Sequence, residues 1–160
     1  MSLTNDKMIR TSELFNVLHE GAVLPRKAHT EDAGMDVTCP TAEVIEFGKT
    51  SFLPLGISFK KGVIPKNCFA KIEARSSYGK KGLVVHGGII DRGYTGEIKA
   101  IVSCATQGAP ICISPAEPFL QIVIYNLAPI LIVGESDEDR GYNGFGSTTQ
   151  NPHPWGAGIL

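Results

Sequence analysis

Two residues in the stretch Gly87-Gly88-Ile89-Ile90-Asp91-Arg92-Gly93-Tyr94-Thr95-Gly96-Glu97 carry side chains that a tight turn does not require. Turns are built from small or turn-favouring residues, so a carboxylate at Asp91 and a phenol at Tyr94 suggest a site held on a rigid support. A carboxylate with a reference pKa of about 3.9 is ionised at neutral pH and can take a proton from a water aligned with an electrophile. Ile89-Ile90 lead in and strand-like Ile98, Ala100 and Val102 follow, so the stretch reads as a β-hairpin. Read alone, it is equally a turn Asp beside a strand-edge Tyr, because short motifs also arise by chance.

Two further stretches have the composition of anion-binding loops. Arg75-Ser76-Ser77 offers a guanidinium, two hydroxyls and backbone N–H groups to phosphate oxygens. Residues 140–148 combine Arg140 with Gly141, Gly144 and Gly146, whose backbones can approach an anion closely, and with Phe145, Ser147 and Thr148. His86, beside the Asp91 stretch, reads as a strand residue rather than a base. Cys39, Cys68, Cys104 and Cys112 form no Cys-x-x-Cys pair and have no nearby His at zinc spacing, so they read as reduced and mostly buried.

Taken together, the segments resemble the trimeric deoxyuridine triphosphatase (dUTPase) family. Its five ordered motifs have counterparts in Ala33-Gly34-Met35-Asp36, in Arg75-Ser76-Ser77, in Ile90-Asp91 through Tyr94 and Gly96, in Phe119-Leu120-Gln121, and in residues 140–148. Five motifs in order are far more specific than one. The resemblance implies that Asp91 activates a water that attacks the α-phosphorus of dUTP, giving dUMP and pyrophosphate. It implies that Tyr94 packs under the deoxyribose and excludes a 2'-hydroxyl, and that the backbone at Gly88 to Ile90 pairs with the uracil edge, too close for thymine's methyl. It further implies phosphate contacts from Arg75, Ser76, Ser77, Gln121, Arg140, Gly146 and Ser147, and a Phe145 ring stacked on the base. Mg²⁺ is the implied cofactor, reached by Asp36 through coordinated water. The implied assembly is a homotrimer whose pockets draw the hairpin, the Arg-Ser motif and the arm from three copies. The fourth motif departs most, with Ala116 where Gly is usual, Pro118 where a basic residue is usual and Leu120 where a small one is usual.

The relative nearest in kind is dCTP deaminase, which shares much of the Arg-Ser-Ser and Ile-Asp pattern. It carries a glutamate ten residues past the hairpin Asp, where this chain has Ile101. A non-catalytic jelly-roll nucleotide-binding or regulatory module would keep the strands and lose Asp91 or the arm.

The elements that must position these residues are short. Eighteen glycines and ten prolines divide the chain into apolar segments at 14–18, 52–59, 68–74, 83–87, 98–104, 119–127 and 129–134, rich in Ile, Val, Phe and Leu. Many short strands separated by turns indicate an all-β sandwich or barrel of jelly-roll type, and the resemblance implies a distorted jelly roll. The expected organisation is one core at 1–134, with a poorly defined leader at 1–13, and an acidic then Gly-rich mobile C-terminal arm at 135–160. Fifteen basic against sixteen acidic residues, without a basic block, point away from nucleic acid. The absence of a membrane-length apolar run and of a signal-peptide core leads to the expectation of an intracellular, cytoplasmic protein, nuclear if the source is eukaryotic or viral.

Overall fold

The computed structural model describes residues 8–130 together with 134, 141, 142, 144 and 145. The elements in chain order are α1 (Thr11–Leu14), β1 (Phe15–Val17), β2 (Gly34–Val37), β3 (Glu43–Ile45), β4 (Thr50–Phe59), β5 (Cys68–Ala74), α2 (Ser76–Gly79), β6 (Leu83–His86), β7 (Ile89–Ile90), β8 (Glu97–Cys104), β9 (Ile111–Ile113) and β10 (Leu120–Asn126). Among these residues they form two four-stranded antiparallel sheets, β1-β4-β8-β6 and β2-β10-β5-β7, and a two-stranded pair, β3-β9. The all-β jelly-roll expectation is met.

Alternation explains the layering. Along β8, Ile98, Ala100, Val102 and Cys104 are buried while Glu97, Lys99, Ile101 and Ser103 are half-buried on the other face. β4 sends Leu53, Leu55, Ile57 and Phe59 inward, and a register shift between Pro54 and Ser58 absorbs the proline that a continuous ladder would not accommodate. From the second sheet come Met35, Val37, Ala70, Ile72, Leu120 and Ile122, and all of these join one apolar core. The β5–β10 ladder runs over seven residue pairs, from Leu120 opposite Ala74 to Asn126 opposite Cys68, and gives the second sheet a stiff centre.

Three local expectations change. Leu14 belongs to a helical turn and not to the first strand, because the Arg10 N–H donates to the Glu13 carboxylate at 2.8 Å and the Glu13 N–H to the Arg10 carbonyl at 2.9 Å. Of the strand expected at 129–134, residues 129, 130 and 134 are not in a strand and 131–133 lie outside the described residues; Pro129 has no N–H to donate to a ladder. The third concerns the Asp91 stretch. β7 and β8 do not pair with each other: β7 pairs with β5, Ile90 opposite Ala70 and Ile89 opposite Lys71, while β8 lies between β4 and β6 in the other sheet. The chain leaves β6, crosses to the second sheet for two residues, and returns as β8. Asp91 therefore sits on a crossing between layers, not at a hairpin tip. None of the described helices is long and apolar enough to cross a membrane.

Candidate functional site

The crossing is fixed by backbone contacts. Gly88, at φ +86°, accepts a hydrogen bond from the Ile72 N–H at 2.8 Å, and a Cβ there would stand 2.9 Å from the Ile72 carbonyl. Only glycine meets both demands. β7 is the outermost strand of its sheet, so its outer edge offers backbone donors and acceptors to whatever fills the adjoining space. That space is a cavity of about 260 Å³ bordered by Gly88, Ile90, Asp91, Tyr94, Ile98 and Phe145, with Ile72, His86, Lys99 and Ile101 completing the wall. The structure thus brings together five of the residues singled out in the sequence: Gly88, Ile90, Asp91, Tyr94 and Phe145.

Asp91 is half-buried, and its carbonyl accepts from the Tyr94 N–H at 3.0 Å, closing the turn that holds both side chains at the cavity. The Tyr94 hydroxyl donates to the Glu97 carbonyl at 2.8 Å. Burial, and secondarily the Glu97 carboxylate, pushes the phenol above its usual value of 10.0, so the ring is a neutral apolar wall with a fixed tilt. The tilt needs Gly96, where a Cβ would lie 2.6 Å from the Tyr94 hydroxyl. Gly141 forms a parallel bridge to Tyr94 and accepts from the Thr95 N–H at 2.9 Å, which delivers Gly144 and Phe145 to the cavity of the same chain. Within one chain the Phe145 ring therefore lies at the chain's own cavity.

A second cluster occupies the other end of β5. The Arg75 guanidinium meets the Asp36 carboxylate at 2.9 Å and donates to the Pro118 carbonyl at 3.3 Å. Gln121 lies directly opposite Asp36 in the β2–β10 ladder, its amide donating to the Ala74 carbonyl at 3.4 Å, and Ser76 and Ser77 open α2 immediately after Arg75. Asp36, Arg75, Ser76, Ser77 and Gln121 are therefore grouped, but away from Asp91. Ile90 stands opposite Ala70, and Arg75 is five residues further along, about 17 Å at strand spacing. One chain does not bring Arg75 to the cavity that holds Asp91.

Among the described residues no group of three or more His, Cys, Asp and Glu side chains is arranged to hold a metal. The residues fit a water-mediated role for Asp36, whose carboxylate charge is already matched by Arg75, and this suits Mg²⁺, which keeps several waters and takes phosphate oxygens directly. The calls on Arg140, Gly146 and Ser147 lie outside the described residues.

Sequence reasoning passed over Lys99, Ile101 and His86 as cavity residues. Ile101 was visible as the apolar break in the alternation of β8, and its outward position is explained by the cavity it lines. His86 ends β6 with a ring nitrogen 2.7 Å from the Ser103 hydroxyl, consistent with a strand residue. Cys39, Cys68 and Cys104 are buried and Cys112 is exposed, all as free thiols.

The family model described as dUTPase matches residues 20–149. The chain is 35% identical over 149 residues to the Pol polyprotein of caprine arthritis encephalitis virus (strain Cork), covering 89% of this chain and 12% of the polyprotein. It spans about an eighth of the viral relatives it matches. It is 34% identical over 142 residues to the deoxyuridine 5'-triphosphate nucleotidohydrolase of Clostridium tetani, covering 82% of this chain and 92% of that protein. The native EIAV dUTPase structure superposes with a TM-score of 0.64 at 27% identity, covering 78% of this chain and 96% of that one.

Proposed function

Since the chain belongs to the dUTPase family, we propose that it hydrolyses dUTP to dUMP and pyrophosphate by water attack on the α-phosphorus, with Asp91 as general base. The observation that carries this reading is the cavity in which the edge of β7, the Asp91 carboxylate and the Tyr94 ring meet. A uracil edge hydrogen-bonds to backbone groups of Gly88 and Ile90, whose positions the β5–β7 ladder fixes. A mismatched base would leave those groups unpaired in a dry space. The neutral Tyr94 ring lies under the sugar and leaves no room for a 2'-hydroxyl, and Phe145 covers the base. Asp91 takes the proton of the attacking water.

Lys99 is the one own-chain cation on the described wall of this cavity, and the Arg-Ser motif that suits a triphosphate does not reach it within one chain. Arg75, Ser76, Ser77 and Gln121 reach it from a neighbouring copy, so the working unit is a homotrimer with shared sites. The separation of about 17 Å along β5 supports this arrangement. Arg140, Gly146 and Ser147 complete the phosphate contacts. Asp36, through coordinated water, would help to hold Mg²⁺, which would supply positive charge to the phosphate oxygens.

Deamination of dCTP is the competing chemistry on this scaffold. The wall residue Ile101 has no proton to transfer, which weighs against it. Incubation of the chain and Mg²⁺ with dUTP, dCTP, dTTP and UTP, followed by product analysis, is expected to give dUMP and pyrophosphate from dUTP and little from the others. Release of ammonia from dCTP, or equal turnover of all four, would overturn the reading.

A further inference from the structure

Phe52 belongs to none of the five motifs, yet it stands on the outer face of β4, 49% exposed, next to the inward-pointing Leu53. Lys99 occupies the neighbouring strand β8, where Pro54 is opposite Lys99 and Phe52 is opposite Ile101. The two side chains are thus diagonal neighbours on one face. Between them they hold Phe145. Its ring meets Phe52 edge to face, with centroids 4.9 Å apart and planes at 74°, and the Lys99 ammonium lies 5.5 Å from the Phe52 centroid and 5.7 Å from that of Phe145. This is the favoured geometry of an aromatic pair, and the cation is within range of both ring faces.

The backbone of Phe145 is at φ +52°, a region that side-chain-bearing residues seldom occupy without contacts that hold them there. Lys99 also lines the cavity that ends in Asp91 and Tyr94. The plate and the pocket are therefore continuous.

We infer that Phe52 and Lys99 are positioning residues: they form a docking plate that sets where Phe145 stands over the cavity, and so how tightly the nucleobase is covered. The inference rests on the reading that a nucleobase fills the cavity beneath Phe145. Phe52 and Lys99 act through their contacts with the Phe145 ring. In a trimer the plate receives this ring from its own copy or from a neighbour, and the same two residues do the receiving.

Two measurements on the full chain test it. In the first, dUTP kinetics are compared for the parent, Phe52→Ala and Lys99→Gln. Loss of one aromatic or cation–π contact is expected to raise KM about three- to tenfold, with kcat falling less than KM rises. Phe52→Tyr and Lys99→Arg, which keep ring and charge, should leave KM close to the parental value, while Val44→Ala, at an exposed position in β3, should change neither parameter. The second uses no ligand. The indole of Phe145→Trp, in a Trp155→Phe background that removes the chain's single native tryptophan, should become about twofold more quenchable by acrylamide when Phe52→Ala or Lys99→Gln is added, as a ring leaving a contact gains exposure. An unchanged or lowered KM together with unchanged quenching would overturn the plate. If the parent does not turn over dUTP, the functional reading fails by itself, and the ligand-free quenching alone decides whether the plate holds Phe145.

Discussion

In the proposed reaction Asp91 and Tyr94 do opposite things with protons. Asp91 must lose its charge when it takes one, and Asp91→Asn keeps the shape while removing the basicity. We expect that variant to fold normally and to lose at least about 10²-fold in kcat, the low end for general-base catalysis; near-parental turnover would remove Asp91 from the reaction. Tyr94 must stay neutral, and burial keeps it so. Because folding raises this pKa above the unfolded value of about 10, its contribution to stability is complete below that pH and is lost as pH climbs through the folded value. Spectrophotometric titration should accordingly show two phenols ionising late, Tyr94 and the buried Tyr78, and Tyr94→Phe should remove one of these two late components; a Tyr94 that titrates in the ordinary range would contradict its burial. Both residues were legible in the sequence because four other motifs stand in order around them, since an Asp in a turn is ordinary by itself. Phe52 and Lys99 were not, since a single Phe and a single Lys on strand-like stretches carry no signal until the fold places Phe145 against them.

The element that matters most is two residues long. Alternation in the sequence located β8 and most of β5 and β10 to within a residue or so, because one face of each is buried and the period of two shows. It could not say with which strand Ile89-Ile90 pairs, since a local pattern carries no information about a partner nearly twenty residues away. The hairpin expected from sequence proximity gave way to pairing with β5, where Gly88 can accept from the Ile72 N–H. This makes Gly88→Ala informative. The left-handed backbone and the close Ile72 carbonyl should together cost about 1–3 kcal/mol, read as a lowered Tm. They should also weaken dUTP binding, since the base-reading edge is displaced. A variant with parental Tm and KM would show that β7 tolerates a side chain at this position.

At the scale of the whole molecule, the Asp91 cavity and the Arg75 cluster mark opposite ends of β5. Light scattering is expected to give the mass of three chains, and a monomer that turns over dUTP at full rate would refute shared sites. The same separation has a genetic consequence. Two inactive chains, one carrying Asp91→Asn and the other Arg75→Ala, have defects that fall in different halves of each site. Dissociated, mixed in equal amounts and allowed to reassociate, they would rescue each other, because about a quarter of sites would pair an intact Asp91 with an intact Arg75 by random assortment. Such intragenic complementation is closed to an enzyme that keeps its whole site within one chain, and here two null alleles expressed in one cell would leave it able to clear its substrate.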